Sequence, residues 1–521
     1  MASIITTNMK IYAAEQFIGG FSNPLEKLYL TIGRTLPWAD DNTPPSPVDC
    51  EFDQSAVFRD MLSAKLIAPS NVSLVIPRYD WSLGANNSGV VYTQYVNNID
   101  LFDPNSGLPP FYVITDELNV YKCLSNGGGV MSTVKPTGTV TSPIINADGY
   151  VWKYMFTVAS ADVLNFVTNE WIPVKTLTTN DGSYQWLVQT AAIPGTIDRI
   201  DMVTVGSQYT TAPTIQIVGD GTGATATAVV SGNQVTSIIV NTVGSGYTWA
   251  NVVITGGGVG ANGATATAAI SPFAGHGADP VNELGGFYVL IDCKLTYDEN
   301  GTFTISNDYR RVSIVQNPTL NDGITAATAL DYDLMTRLTF GSVTGTTFVA
   351  DEIVTGSVSQ ATGVVIDYDP TGLVLRLAEV VGKFVPGDSV VGASATGLLQ
   401  TYAGTAVSAT SSSIVLPTGA SASANAYTGM TIQITSGAGA GQIATITNYV
   451  GVNTTATIMQ ISPVVSSTWS VTPTNTSGFS IANITLPDFE PFSGGIVYME
   501  NRRPIARAAD QVEDLKIVVE F

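Results

Sequence analysis

Twice in this chain alanine and threonine alternate without a break, in Gly223-Ala-Thr-Ala-Thr-Ala228 and in Gly263-Ala-Thr-Ala-Thr-Ala268. A period of two is the mark of an extended strand, with methyls on one face and hydroxyls on the other. Each segment follows a related stretch, Gly206-Ser-Gln-Tyr209-Thr-Thr-Ala-Pro213 and Gly244-Ser-Gly-Tyr247-Thr-Trp-Ala-Asn251. The copies are offset by roughly 38 residues, so one β unit is duplicated. A methyl face buries little, on the order of one or two kcal/mol per strand. Units this thin are expected to lean on a neighbour.

A second duplication pairs Phe348-Val-Ala-Asp-Glu-Ile-Val-Thr-Gly356 with Phe384-Val-Pro-Gly-Asp-Ser-Val-Val-Gly392. A third β region over 414–481 holds Tyr427-Thr-Gly-Met-Thr-Ile-Gln-Ile434 and a glycine-rich turn at 437–442. On both sides of these light segments the residues become bulkier. Strand-like runs lie at 28–32, 72–76, 111–114 and 151–156, and bulky runs return at 495–499 and 515–521. One amphipathic helix is predicted over 49–68, capped by Asp49, with Phe52, Val57, Met61 and Ala64 on one face and Pro69 at its end. The expected fold is mainly β and multi-domain, an α+β or β-sandwich parent body carrying inserted small β modules. The parent body is placed at 1–200, continued by 281–337 and 484–521. The modules are placed at 201–280, 338–410 and 411–483.

Composition narrows the function. Charged residues are 12% of the chain and hydrophobic ones 45%, with 50 glycines, which suits short strands joined by tight turns rather than long salt-bridged helices. The net charge is −21, from 21 basic and 42 acidic residues. A nucleic-acid or anionic-membrane partner needs clustered cations to displace counterions, and only pairs such as Arg310 with Arg311 and Arg502 with Arg503 occur. Neither partner is expected. No apolar run approaches the roughly 20 residues that span a bilayer, and the first ten residues lack a secretory pattern. Synthesis in a cytoplasm follows as the expectation.

Catalytic chemistry has little to draw on. The three cysteines, Cys50, Cys123 and Cys293, have no metal-ligand or disulfide spacing. The single histidine, His276, stands between Gly275 and Gly277 and is read as a packed loop residue. Gly387-Asp-Ser389 superficially resembles a nucleophile motif, yet it aligns with Ala350-Asp-Glu352 of the sister repeat, so Ser389 takes a strand position. The 437–442 turn lacks a phosphate-loop ending and is followed by a strand, not a helix. No catalytic residue, metal or cofactor is expected.

The bulky segments carry a resemblance. In order they are Thr31-Ile-Gly-Arg-Thr-Leu-Pro-Trp38, Val75-Ile-Pro-Arg-Tyr-Asp-Trp81, Asn119-Val-Tyr-Lys-Cys-Leu124 and Asp148-Gly-Tyr-Val-Trp-Lys-Tyr-Met-Phe156. Then come Asn169-Glu-Trp-Ile-Pro-Val174, Arg311-Val-Ser-Ile-Val-Gln-Asn-Pro318, Gly494-Gly-Ile-Val-Tyr-Met-Glu-Asn-Arg502 and Ala509-Asp-Gln511 before the terminal strand. In this order they resemble the baseplate wedge subunit encoded by gene eight of T-even-like myophages. The resemblance implies a homodimeric structural protein of the virion's contractile tail baseplate, contacting other wedge proteins and sharing in the baseplate's conformational change. The duplicated modules depart from that pattern.

Two residue groups stand out within the motifs. Arg34, Trp38, Arg78, Asp80 and Trp81 sit at strand ends beside prolines, where a guanidinium stacked on an indole and bonded to a carboxylate would lock a corner. Glu500, Asn501, Arg502 and Arg503, polar and locally basic in an acidic protein, are the expected interface. The competing reading is a receptor-binding or polysaccharide-degrading tail protein, with Tyr209, Tyr247 and Trp249 stacking on sugars. Two copies per repeat are too few for a long β-helix, and tyrosines that recur with the repeat point to packing.

Overall fold

Both alternating segments are strands, Thr222–Ser231 and Asn262–Ile270. The computed structural model describes residues 4–297, 299, 302–305, 307–462 and 464–521. Strand accounts for 43% of the chain and helix for 11%, in several separate sheets, so the protein is mainly β and multi-domain. The chain divides into two compact units. One comprises Met1–Gly19, Ser70–Asp292 and Lys516–Phe521; the other comprises Gly20–Pro69 and Cys293–Leu515.

The duplicated Ala-Thr module lies in the first unit as a six-stranded sheet. Its order is Thr214–Gly219, Ala250–Thr255, Asn262–Ile270, Ile197–Ser207, Gln234–Ser245, Thr222–Ser231. The alternating strand of each copy pairs with the opening strand of the other, Asn262–Ile270 with Ile197–Ser207 and Thr222–Ser231 with Gln234–Ser245. The methyl face packs on the buried Tyr209, Tyr247 and Ile238. On the outer face the hydroxyls pair symmetrically, Thr204 with Thr265 at 2.7 Å and Thr225 with Thr242 at 2.8 Å. Tyr209 accepts from the Ala264 amide at 3.3 Å, and its counterpart Tyr247 accepts from Ala224 at 3.4 Å.

That lock fixes one glycine in each copy. Gly206 and Gly244 have φ of 65° and 62°. A Cβ on Gly206 would fall 2.5 Å from the backbone of Asn262 and Ala264. Gly206→Ala is therefore expected to destabilise the module by about 3 kcal/mol, joining the left-handed cost to the backbone clash. Gly232→Ala, with φ of 58° in a hairpin turn and open space at its Cβ, should cost only about 1 kcal/mol. Urea unfolding of the two variants side by side measures the difference.

The rest of the first unit holds two four-stranded sheets. One orders Val512–Glu520, Tyr288–Thr296, Val72–Pro77 and Trp171–Pro173, with the last chain strand at its edge. The other orders Tyr112–Ile114, Asn119–Asn126, Tyr150–Thr157 and Ile144–Ile145. A core of Ile76, Tyr112, Met155, Phe156, Ile172 and Phe287 is shared by strands from both sheets.

In the second unit a five-stranded sheet runs Asp331–Asp333, Met61–Leu66, Leu28–Gly33, Asp308–Gln316, Gly495–Ala506. Its central strand Leu28–Gly33 is buried at all six positions. A second sheet closes on itself, because Thr336–Gly345 pairs with both Ala395–Leu399 and Val374–Val381. The repeat phenylalanines Phe348 and Phe384 both belong to its core. A third, seven-stranded sheet begins at Thr401–Thr405, which pairs with Gly478–Ala482. The third sheet thus begins at Thr401, and the six-stranded sheet of the first unit begins at Ile197.

The helix predicted over 49–68 is shorter. It spans Glu51–Asp60, follows Cys50 without a side-chain cap, and gives way to the strand Met61–Leu66. Pairing of that strand with Leu28–Gly33 and Asp331–Asp333 outweighs the helical spacing of Met61 and Ala64. Asp49 bonds the Gln54 side chain at 3.0 Å instead of capping the helix. A helix at Thr7–Ser22 went unpredicted.

Candidate functional site

The densest polar constellation of the second unit grows from the ends of two adjacent strands. Leu28–Gly33 delivers Arg34, and Asp308–Gln316 carries Arg310 and Arg311. Arg34 is 6% exposed and bonds two carboxylates, Asp308 at 2.8 Å and Asp351 at 3.1 Å. Asp351 lies within the duplicated segment 348–356, so Arg34 fastens that module to the sheet. Arg310 donates to the Thr35 carbonyl at 2.8 Å. Arg311 bonds the buried Asp60 at 2.5 Å and the Asn501 side chain at 2.9 Å. Burial pushes the Asp60 carboxyl up to about 8, with Arg311 pulling in the opposite direction.

Trp38 joins this corner by a route the sequence did not show. Its indole nitrogen donates to the Arg502 carbonyl at 3.0 Å, and the guanidinium nearest its ring is that of Arg311, 5.9 Å from the centroid. The expected stacking partner, Arg34, is engaged by aspartates. The quartet Glu500 to Arg503 lies on the edge strand Gly495–Ala506 and holds the chain's own proline-rich loop. Asn501 donates to the Pro45 carbonyl at 2.9 Å, Arg503 to the Asn42 carbonyl at 2.8 Å, and Arg502 pairs with Glu500 at 2.9 Å. The loop thus blunts part of a long sheet edge that would otherwise present free ladder groups.

Arg78, Asp80 and Trp81 belong to the first unit and do not join that corner. Arg78 pairs with Asp80 at 2.9 Å and donates to the Thr168 carbonyl at 2.9 Å. Trp81 packs against the cluster of Tyr92, Tyr150 and Trp152, and its indole donates to Ser132 at 3.2 Å. At this corner the Arg78 guanidinium bonds the Asp80 carboxylate. The indole faces aromatic rings, because Tyr92, Tyr150 and Trp152 surround it.

Sequence reasoning missed a buried charge cluster in the first unit. His276 is 7% exposed and bonds Asp198 at 2.7 Å through Nε2, with Glu283 3.4 Å from Nδ1. Glu283 also pairs with Lys122 at 2.8 Å and accepts from the Gly277 amide at 2.6 Å. Tyr95 stands edge-on to the imidazole, and Lys122 lies 4.1 Å above the Tyr95 ring. Complete burial works against the Glu283 carboxylate, but Lys122 and His276 hold it down at about 2. Lys122 and Glu283 also line a cleft of about 720 Å³, together with Ile11, Tyr12, Tyr95, Phe102 and Phe273. The members of the charge cluster stand at 122, 198, 276 and 283, with no local motif to announce them.

Asp388 of the Gly-Asp-Ser triplet is spent on structure, accepting from the amides of Val358, Ser359 and Val385. The glycine-rich turn joins the strands Thr431–Ser436 and Ile443–Val450. Tyr209 and Tyr247 are buried, which removes them as sugar platforms, while Trp249 remains half exposed. Among the described residues no helix is long and apolar enough to cross a membrane.

No family model matches the chain. It is 25% identical over 206 residues to "Baseplate wedge protein gp8" of Enterobacteria phage T4, an alignment that takes in 33% of this chain. The chain spans 60% of that relative's length, and the likeness amounts to a distant, wedge-like relationship.

Proposed function

We propose that the chain is a non-enzymatic structural subunit of a contractile phage tail baseplate, a wedge component that works as a homodimer beside other wedge proteins. One observation carries the reading: the motifs shared with the wedge family become hydrogen-bonded neighbours. The strands that hold Thr31, Arg311 and Tyr498 lie side by side in one sheet, although they come from opposite ends of the chain. Val75 and Pro173 are likewise direct partners in a sheet of the first unit. Motifs that are distant in sequence and adjacent in space are what a shared body requires.

The domain reading rests on how the modules enter and leave. Ile197 pairs with Ile270, and Thr401 pairs with Ala482, so these two modules each depart and return at one point. Segments that enter and leave side by side support reading them as insertions in a parent body.

Light scattering on a size-exclusion column tests the assembly claim. A dimer is expected at micromolar concentration, since subunits that stay associated under contraction bury more than about 2,000 Å². A monomer at that concentration removes the homodimer. Mixing with the other wedge proteins of the same phage is expected to give one co-eluting complex. Failure to co-elute with any of them would count against the wedge assignment.

A further inference from the structure

Within the second unit a pocket of about 490 Å³ opens between the helix Glu51–Asp60, the strand Val374–Val381 and the segment 486–493. Its walls are apolar, among them Phe58, Met61, Leu377, Ile461, Leu486 and Phe492. This size and character match sites that enclose a side chain or small ligand.

Two lining residues hold backbone conformations that cost energy. Glu379 has φ of 48° in the middle of a strand, and Phe492 has φ of 63° while 54% exposed. Neither is a glycine, and residues held in the left-handed region gather where a binding surface dictates the geometry. The bend at Glu379 turns its side chain into the pocket lining, half buried. Among the described residues no hydrogen bond or ion pair reaches that carboxylate. Desolvation raises its proton affinity, and Arg59 and Arg311 counter this only through space.

The other charges at the pocket are differently placed. The Lys383 ammonium is taken by the Ile461 carbonyl, and Glu490 acts on it through space. Arg59 is exposed and solvated. Among the described residues Glu490 has also lost water without a bonded partner, but Glu379 is the more deeply buried of the two pocket carboxylates, so it stands to gain most from an incoming cation.

We propose that this pocket is a socket for a partner protein chain, taking a lysine or arginine side chain whose aliphatic stem lies along the apolar wall and whose charge meets Glu379. The stem satisfies the wall and the head satisfies the carboxylate, a division that long basic side chains make readily. An anionic segment would meet Glu379 at close range, and a purely apolar one would leave it desolvated. The backbone cost at Glu379 and Phe492 is borne before binding, which leaves less ordering for the partner to supply.

Three acetylated, amidated tripeptides test the socket on the full chain. Each has leucine and phenylalanine flanking a central lysine, norleucine or glutamate, and dissociation constants come from titrations followed by NMR. The lysine peptide is expected to bind about tenfold more tightly than the norleucine peptide. Glu379→Gln should erase that preference and Glu490→Gln should keep it. Arg59→Gln, on an exposed side chain, should enlarge it by removing a competing cation. The preference should also fade as the pH falls and Glu379 takes up a proton. Equal binding of lysine and norleucine, tighter binding of glutamate, no binding at all, or an unchanged preference in Glu379→Gln would each overturn the proposal.

Discussion

Lys122→Met is expected to destabilise the first unit by about 3–5 kcal/mol near neutral pH, a fall of roughly 10 °C in its melting temperature. Calorimetry gives the number, and hydrogen exchange along Asn119–Asn126 shows that this unit is the one affected. Lys122 is 1% exposed and its ammonium is the nearest cation to Glu283, itself fully buried. Removing it takes the nearest cation away from a buried carboxylate. The residual partners are the Gly277 amide and the His276 ring, with Lys153 acting only through space. Lys122→Met combined with Glu283→Gln removes both charges and should recover part of the loss, because a neutral pair carries no stranded ion.

The pH dependence sharpens this expectation. In the natural chain Glu283 is held at about 2, below its ordinary value of 4.5. A depressed folded value means that the stabilisation is complete above pH 4.5 and drains away as the pH falls toward 2. Without Lys122, burial is the dominant influence and the carboxyl moves above 4.5. The sign then reverses: the variant is least penalised in acid and loses stability as the pH rises through its new value. Between pH 4.5 and 7 the natural chain should therefore be flat on account of this group while the variant loses stability, once the shared contribution of the other groups is subtracted. Parallel slopes would mean that Glu283 does not carry the charge assigned to it.

The contrast between the two units shows which kinds of information the chain states locally. Period-two alternation in 223–228 and 263–268 made both strands legible, and the offset of Tyr209 and Tyr247 made the duplication legible. Their partners were not, because each strand pairs across copies, and pairing depends on register over long separations. The 49–68 segment misled for the opposite reason. Met61 and Ala64 satisfy a helical spacing as well as a strand, and only the neighbouring strands decide between them. The helix Thr7–Ser22 buries only Ile11, Ala14 and Phe21, and its two glycines near the end weaken any signal. Arg34 and Trp38 were visible as unusual residues, but Asp308, Asp351 and Arg311, which give them their roles, lie about 270 to 320 positions away. Charge clusters assembled from single residues on many strands leave no motif. His276 was conspicuous as the lone histidine, yet nothing near it in sequence named Asp198 or Lys122.

A chain ended at residue 494 is expected to yield no soluble folded protein, whereas excision of 401–482 with Gln400 joined to Asn483 through two glycines is expected to fold. The truncation removes fewer residues but takes an edge strand from each unit. Gly495–Ala506 covers one side of Asp308–Gln316, bringing Ile496 and Met499 onto the core of Tyr29, Val315 and Phe489. It also supplies Asn501 to Arg311, and the lost tail includes both Arg507 and Glu513, a buried pair at 2.9 Å. The strand Val512–Glu520 takes with it the buried Leu515 and Ile517. Long hydrophobic edges laid bare in this way associate with one another. The excision, by contrast, cuts where the chain already meets itself, since the Asn483 amide donates to the Gln400 carbonyl at 3.4 Å. Its main cost is the uncovering of Val385 and Leu486, which pack on Ile443 and Ile461, about 2 kcal/mol by area. Soluble yield and the cooperativity of thermal unfolding separate the two chains. A well-folded truncation, or an excised chain that precipitates, would show that the terminal strands are appendages and the light modules are core, the reverse of the arrangement proposed.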